Sequence, residues 1–426
     1  MTEDDGEPAT EGLTDEPAHE KHEPSSADDT GRTTVMLLGA GEFSRELAIA
    51  FQRLGAEVIA VERYADAPAH GVADQSVVVR LTDTDELAAV IGRLQPNYVV
   101  TVTDMVAADA LTAASETGFA QVFPTARAAR LTADREGLRR LAADELGLPT
   151  APFWFAGSVE ELRAVAEHAG YPLRILPVAP AGDGESVIYG PFDLESAWRT
   201  AVSAGGPLAP KRVMAETVVE VDFHVTLLTV RSDGPKGPVV EFCSPIGHGQ
   251  VSGEALESWQ PQPMSRAALD IAKSIAARIV KALGGRGVFG VELMIRGDEV
   301  YFCDVSTRPY ENGVVTLRSQ RLSEFELQAR AILGLPTDTI MISPAAAQVL
   351  YSSHESIDTG ADNTGPIGGP LSEALAVPES DVRIFGNHQS DERRRLGVAV
   401  VTAVDVPTAR DRARQVATAL RKVWQS

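Results

Sequence analysis

The run Val288-Phe-Gly-Val-Glu-Leu-Met-Ile-Arg-Gly-Asp-Glu-Val-Tyr-Phe-Cys-Asp-Val-Ser-Thr-Arg-Pro309 constrains this chain more than any other stretch. It reads as two apolar strands joined by the turn Arg296-Gly297-Asp298-Glu299, with Glu292 in the first strand and Asp304 in the second. Carboxylates are almost never fully buried unless paired or bound to a metal. Two that face one another across a hairpin repel, and a divalent cation removes the conflict. Hard oxygen ligands of this kind suit Mg2+ held together with nucleotide phosphates. The competing expectation is one ion pair per carboxylate, with Arg308 as the available partner.

A chain of 426 residues holds two to four domains. Its 44% hydrophobic and 23% charged content is that of a globular protein. A net charge of -22 argues against nucleic-acid binding, which needs a basic face. Part of that charge is local: residues 1–30 carry eleven Asp/Glu against one Lys. Such a segment buries too little apolar surface to offset its ordering entropy, so 1–32 is expected to be a disordered acidic tail without catalytic role. It lacks the basic and apolar regions of a secretory signal, and no apolar run is long enough to span a bilayer. Two cysteines, Cys243 and Cys303, without metal-site spacing fit a reducing cytoplasm.

From residue 33 strands alternate with helices: Thr34–Gly39, a helix over Phe43–Leu54, Glu57–Glu62, Ser76–Arg80, a helix over Asp83–Leu94, and Asn97–Val102. This predicts a parallel α/β sheet over 33–130. The turn Gly39-Ala-Gly41 lacks the third glycine of a dinucleotide fingerprint, although Glu62 stands where a ribose-binding acid would. A helix N-terminus presenting Glu42 and a small anionic ligand at the carboxyl edge of the sheet is the preferred reading. An α/β unit and a larger antiparallel region occupy 131–345, giving α+β character to the centre. Residues 346–426 form a small mixed section, with strands near 382–385 and 396–402 and a helix from 408 to 423.

Three further stretches carry candidate chemistry. In the strand Val213–Val219 Glu216 ends an apolar run, and an edge backbone there would hydrogen-bond an adenine. Residues 172–186 read as a strand followed by a loop containing Gly182 and Gly184, able to fold over phosphates through its N–H groups or to form a simple hairpin turn. Arg393-Arg-Arg395 precedes a strand, either as phosphate-binding forks or as a solvated cluster.

These stretches resemble one family closely. Val35-Met-Leu-Leu-Gly-Ala-Gly-Glu42, Val58-Ile-Ala-Val-Glu-Arg-Tyr-Ala-Asp-Ala-Pro-Ala69, Leu131-Thr-Ala-Asp-Arg-Glu-Gly-Leu-Arg-Arg-Leu-Ala142, Asp222-Phe-His-Val-Thr-Leu-Leu-Thr-Val230, Glu257-Ser-Trp-Gln-Pro-Gln262, Ala282-Leu-Gly-Gly-Arg-Gly-Val-Phe-Gly-Val-Glu-Leu293 and Arg394-Arg-Leu-Gly-Val-Ala399 are similar to the formate-dependent phosphoribosylglycinamide formyltransferases of the ATP-grasp superfamily. The resemblance implies an N-terminal parallel α/β domain, a two-lobed ATP-binding domain and a small C-terminal domain, in a cytoplasmic homodimer of purine biosynthesis. It implies Mg2+ on Glu292 and Asp304. ATP would meet Arg135, Gly182, Gly184, His224 and the adenine hinge Glu216, Thr217, Val218 and Val219. Glycinamide ribonucleotide would meet Glu42, Phe43, Glu311, Arg394 and Arg395. The implied reaction makes formyl phosphate from formate and ATP and passes the formyl group to the ribonucleotide amine.

The chain also departs from the family pattern. Leu176 and Asp183 stand for lysines at the ATP phosphates, Val102 for a ribonucleotide-binding glutamate, Asn387 for a lysine near the substrate phosphate, and His224 for a ribose-binding glutamate. Arg174, two residues before Leu176 on the same strand face, is expected to supply a substitute charge. Asp104 would stand in for the acid at 102 if its strand continues. A related ligase with another acid or amine, and a non-catalytic nucleotide-binding homologue, stay open as alternatives.

Overall fold

The computed structural model describes residues 32–179, 184–205, 210–251, 255–352, 369–385 and 394–424. The acidic segment 1–31, Gly182, Asp183, Asn387, Arg393 and nearly all of residues 354–370, a stretch rich in Gly, Ser, Asp and Pro whose composition reads as an exposed loop, lie outside these residues. Thr33 onward packs as one unit.

The first strands form a parallel sheet, β1 (Thr34–Leu38), β2 (Glu57–Glu62), β3 (Gln75–Val78), β4 (Tyr98–Thr101) and β5 (Gln121–Phe123), in the order β3-β2-β1-β4-β5. β1 is apolar on both faces because helices cover both. Val35 and Leu37 pack against Phe43, Leu47 and Phe51 of the helix Glu42–Gln52, while Met36 and Leu38 pack against Leu87, Ile91 and Leu111. Strand order reverses between β1 and β4, which opens a crevice at their carboxyl ends. Gly39 lines it with a φ of 97°, and a Cβ there would lie 2.9 Å from Thr103 Cγ2, so glycine is needed twice over. Glu62 does not face a ribose. Its Oε2 accepts the Ala40 N–H at 3.0 Å and its Oε1 the Arg63 N–H at 2.7 Å, so it braces the glycine turn and the dinucleotide reading falls.

A second, antiparallel sheet of four strands follows: β6 (Phe153–Ala156), β7 (Leu173–Pro177), β8 (Ser186–Ile188) and β9 (Val213–Thr217), in the order β6-β9-β7-β8. A third sheet contains β10 (Phe223–Gly234), β11 (Gly237–Phe242), β12 (Ile246–Val251), β13 (Ala255–Gln260), β14 (Gly287–Arg296) and β15 (Glu299–Ser306). The helix Arg266–Leu283 covers it with Ala272, Ile275, Ile279 and Leu283. The same sheet continues through β16 (Ala345–Tyr351), β17 (Ser380–Ile384) and β18 (Arg395–Thr402), so the last section extends the central sheet. Buried Glu257 of β13 anchors the closing helix Val406–Arg421 through Arg410 at 2.6 Å and Arg414 at 3.0 Å. Among the described residues no helix is long and apolar enough to cross a membrane.

Candidate active site

The carboxylate hairpin forms as expected, with one irregularity that decides its chemistry. Pairing runs from Arg296↔Glu299 to Leu293↔Phe302, and then Glu292 pairs with Asp304 rather than Cys303. A β-bulge absorbs Cys303 and re-aims Asp304, so both carboxylates share one face. Burial and the Asp304 charge push the Glu292 carboxyl up to about 7. Arg308 does not neutralise the pair. It makes a bidentate contact with Asp104 at 2.6 and 2.6 Å, and no described Arg or Lys lies within ion-pair distance of Glu292 or Asp304. Asn312, only 2% exposed, points Nδ2 at Thr226 Oγ1 (3.0 Å) and Glu292 Oε1 (3.4 Å), while its Oδ1 is buried without a partner. Unneutralised carboxylates beside an orphaned amide oxygen fit a hard divalent cation. Among the described residues no group of three or more His, Cys, Asp or Glu is placed to hold a metal. The remaining ligands would be water and phosphate oxygens, as Mg2+ prefers.

A first group of the residues expected to meet ATP gathers around Arg174. Leu173 and Ile175 of β7 pack into the helix-covered core, leaving Arg174 and Leu176 on the other face. The Arg174 guanidinium donates to Glu185 Oε2 at 2.7 Å and lies 3.7 Å from Glu216 Oε2. Its charge is felt at both Glu292 and His224, lowering the pKa of each. Arg135 reaches the same region, bonding the Pro177 carbonyl through Nη1 and lowering the Glu292 pKa by its charge. His224 stands 6.2 Å from His248, ring to ring, and burial holds the His248 imidazole at about 4. Gly184 packs tightly: a Cβ would lie 2.4 Å from Ala204 Cβ and 3.0 Å from Pro177 Cγ.

The expectation that β9 lies at a sheet edge needs correction. β9 is not an edge strand, since Glu216 pairs with Phe153 of β6 on one side and Arg174 of β7 on the other. The Thr217 N–H goes to the Pro152 carbonyl (2.9 Å) and the Val218 N–H to the Pro172 carbonyl (3.3 Å). A single strand's pattern does not reveal how many partners it has. The Glu216 carboxylate, 3% exposed, instead forms a 2.9 Å ion pair with Arg139, whose Nη2 also donates to the Cys303 carbonyl at 2.9 Å. Arg139 escaped the sequence reading; its one signal is the four-residue spacing from Arg135 on a helix. Truncating one partner of a buried ion pair costs about 3–5 kcal/mol. Arg139→Ala is therefore expected to lower the thermal midpoint sharply, as followed by circular dichroism, whereas an exposed control such as Arg266→Ala should not.

A second cluster forms at the crevice of the parallel sheet. Arg395 donates from Nε to Glu311 Oε1 at 2.6 Å, lies 3.5 Å from Glu42 Oε2, and sits 4.5 Å above the Phe43 ring. Phe43 is itself 7% exposed and packed on Phe325 and Phe385, and its ring seats Arg395. Arg394 joins through its backbone, its N–H donating to Ser352 Oγ at 3.1 Å. Asp104 does not face this cluster: β4 ends at Thr101, and the acid turns to Arg308. Residues remote in sequence thus meet here, from the first helix, the turn Glu311–Val315 and β18.

Family models match in three places: a ribonucleotide synthetase preATP-grasp domain over 32–132, an ATP-grasp domain over 141–325, and the PurT C-terminal region over 345–420. The formate-dependent phosphoribosylglycinamide formyltransferase of Rhodococcus jostii (strain RHA1) is 51% identical over 92% of this chain and 96% of that protein. That of Corynebacterium glutamicum (strain R) is 52% identical over 91% and 94%. A solved structure of glycinamide-RNase-transformylase T from Mycobacterium tuberculosis is 60% identical, with a TM-score of 0.76 over 91% of this chain and 99% of that one. N5-carboxyaminoimidazole ribonucleotide synthetase from Thermotoga maritima shares the fold at 20% identity and a TM-score of 0.74, over 91% of this chain and 98% of that one. With the mixed α/β fold and both clusters in place, the chain belongs to the formate-dependent phosphoribosylglycinamide formyltransferase family of ATP-grasp enzymes.

Proposed function

We propose that this chain formylates glycinamide ribonucleotide with formate and ATP, a step of purine biosynthesis. The observation that carries the reading is the turn Glu311–Val315: Glu311 pairs with Arg395 of the arginine cluster, and the next residue, Asn312, bonds Glu292 of the carboxylate pair. One short segment therefore spans a nucleotide half and an acceptor half. A formate oxygen attacks the γ-phosphorus and ADP leaves, giving formyl phosphate. The ribonucleotide amine then attacks the formyl carbon, phosphate departs, and the amine loses a proton. Formate is already ionised, so the first step needs positioning and charge neutralisation rather than a strong base. Mg2+, held by Glu292 and Asp304, would neutralise phosphate charge. Arg135 and Arg174 would meet the phosphates alongside Gly182 and Gly184, Val219 and His224 the nucleoside, and Arg394, Arg395, Glu42 and Glu311 the ribonucleotide. We assign functional segments at 33–130, 131–345 and 346–426 after the acidic stretch 1–32, and a cytoplasmic homodimer as the working form.

A second reading, a related ligase for another acid or amine, draws support from Val102 and from Asp104 being held by Arg308. ADP release with Mg-ATP, formate and glycinamide ribonucleotide, each omitted in turn, separates the two. A requirement for both formate and the ribonucleotide supports the first. Release with neither, or only with other acids, supports the second.

A further inference from the structure

Glu324 is a buried acid that the reaction above does not use. It opens the helix Glu324–Ile332 and is 0% exposed. Its Oε2 accepts the Tyr310 N–H at 2.9 Å, and its own N–H donates to Thr316 Oγ1 at 2.8 Å. The Gly313 backbone lies directly on the carboxyl, since a Cβ there would sit 2.1 Å from Oε2 and 2.5 Å from Cδ. No described cation pairs with it, and its Oε1 has no partner. Burial raises its pKa well above the usual carboxylate range, and what the group offers the turn is its shape and the oxygen that accepts the Tyr310 N–H.

The turn it grips is the one that joins the two clusters. Tyr310 stands beside Glu292, whose charge is the largest influence on its phenol. Glu311 holds Arg395, and Asn312 holds Glu292 and Thr226. Thr316 Oγ1 closes the turn by donating to the Gly313 carbonyl at 2.5 Å. With Gly313 seated on the carboxyl and Tyr310 tied to it, neither Glu311 nor Asn312 can shift without moving Glu324.

We infer that Glu324 is a positioning residue that sets, through the turn 310–313, both the aim of Glu292 toward a divalent cation and the aim of Glu311 and Arg395 toward the second substrate. The assignment of those two partners rests on the function proposed above.

The test compares Glu324→Gln, which keeps the shape and an acceptor oxygen, with Glu324→Leu, which keeps volume but strands the Tyr310 N–H. Mg-ADP binding is read by calorimetry on the full chain, with the KM for glycinamide ribonucleotide measured beside it. Glu324→Leu should weaken Mg-ADP binding and raise that KM by about tenfold or more, the range of supporting-shell changes at metal sites, while Glu324→Gln restores both to near the parent values. A folded Glu324→Leu that binds like the parent, or a Glu324→Gln as impaired as Glu324→Leu, overturns the inference. Should Glu324→Leu fail to fold, Gly313→Ala, which pushes the carboxyl aside, must reproduce the weakening, and parent-like binding overturns it. A parent protein that binds Mg-ADP but turns over no formate refutes the proposed reaction, and the calorimetric comparison still decides the role of Glu324.

Discussion

Arg174→Ala is expected to lower ATP turnover by about a hundred- to a thousandfold, the effect of removing one preorganised charge from a transition state. β7 presents Arg174 and Leu176 on the face away from its helix-covered core. Leu176 is apolar and 5% exposed, so it offers phosphates nothing. Arg174 lies on the same strand face, its charge reaches Glu292 and His224, and Glu185 and Glu216 hold its fork in one orientation. Glu216 keeps Arg139 as a partner in the variant, so the fold should survive. Arg174→Lys keeps the charge and loses the planar fork, and an intermediate rate is expected. ADP release with Mg-ATP is the measurement. Parent-like turnover by a folded Arg174→Ala would show that Arg135 alone meets the phosphates.

The second large effect is a divergence between activity and stability at Glu292. Glu292→Gln removes half of the carboxylate pair and is expected to reduce Mg-dependent turnover by several kcal/mol, on the order of a thousandfold. Without metal the same change should stabilise the protein at alkaline pH. The Glu292 carboxyl is raised to about 7, so between the ordinary carboxylate value and that pH the folded chain keeps a proton that the unfolded chain has lost. Metal-free stability contributed by this group therefore falls as pH rises toward 7 and stays low above it. Metal competes with that proton, so Mg-nucleotide binding should strengthen over the same interval. Urea midpoints at pH 5 and pH 8, with and without Mg-ADP, check both halves. A Glu292→Gln protein less stable than the parent at pH 8 without metal would falsify the account of an unneutralised pair.

Much of this was legible from local pattern. The strand-helix alternation after residue 33 follows from apolar runs separated by turn residues, and the sheet forms where expected. The carboxylate hairpin is equally local: a glycine turn between two apolar runs allows little else. Pairing between remote strands was not legible. Nothing in Val213–Val219 says that β6 and β7 will flank it, so the edge-strand expectation fails. Nothing around Asp104 says that it will find Arg308 some two hundred residues on.

The sequence by itself determined which side chains are available, and that two carboxylates would stand in apolar strands, because burial preference and turn chemistry act over a few residues. It left the hairpin register open: counted from its turn, Glu292 faces Cys303. Only the tertiary structure decided that a bulge would set Cys303 aside and bring Asp304 across. Tertiary packing likewise decided that Glu324, inside one helix, would hold the turn that joins the two clusters. A bulge and a buried contact between distant segments depend on the packing of the whole sheet, and that is written in no single stretch of the chain.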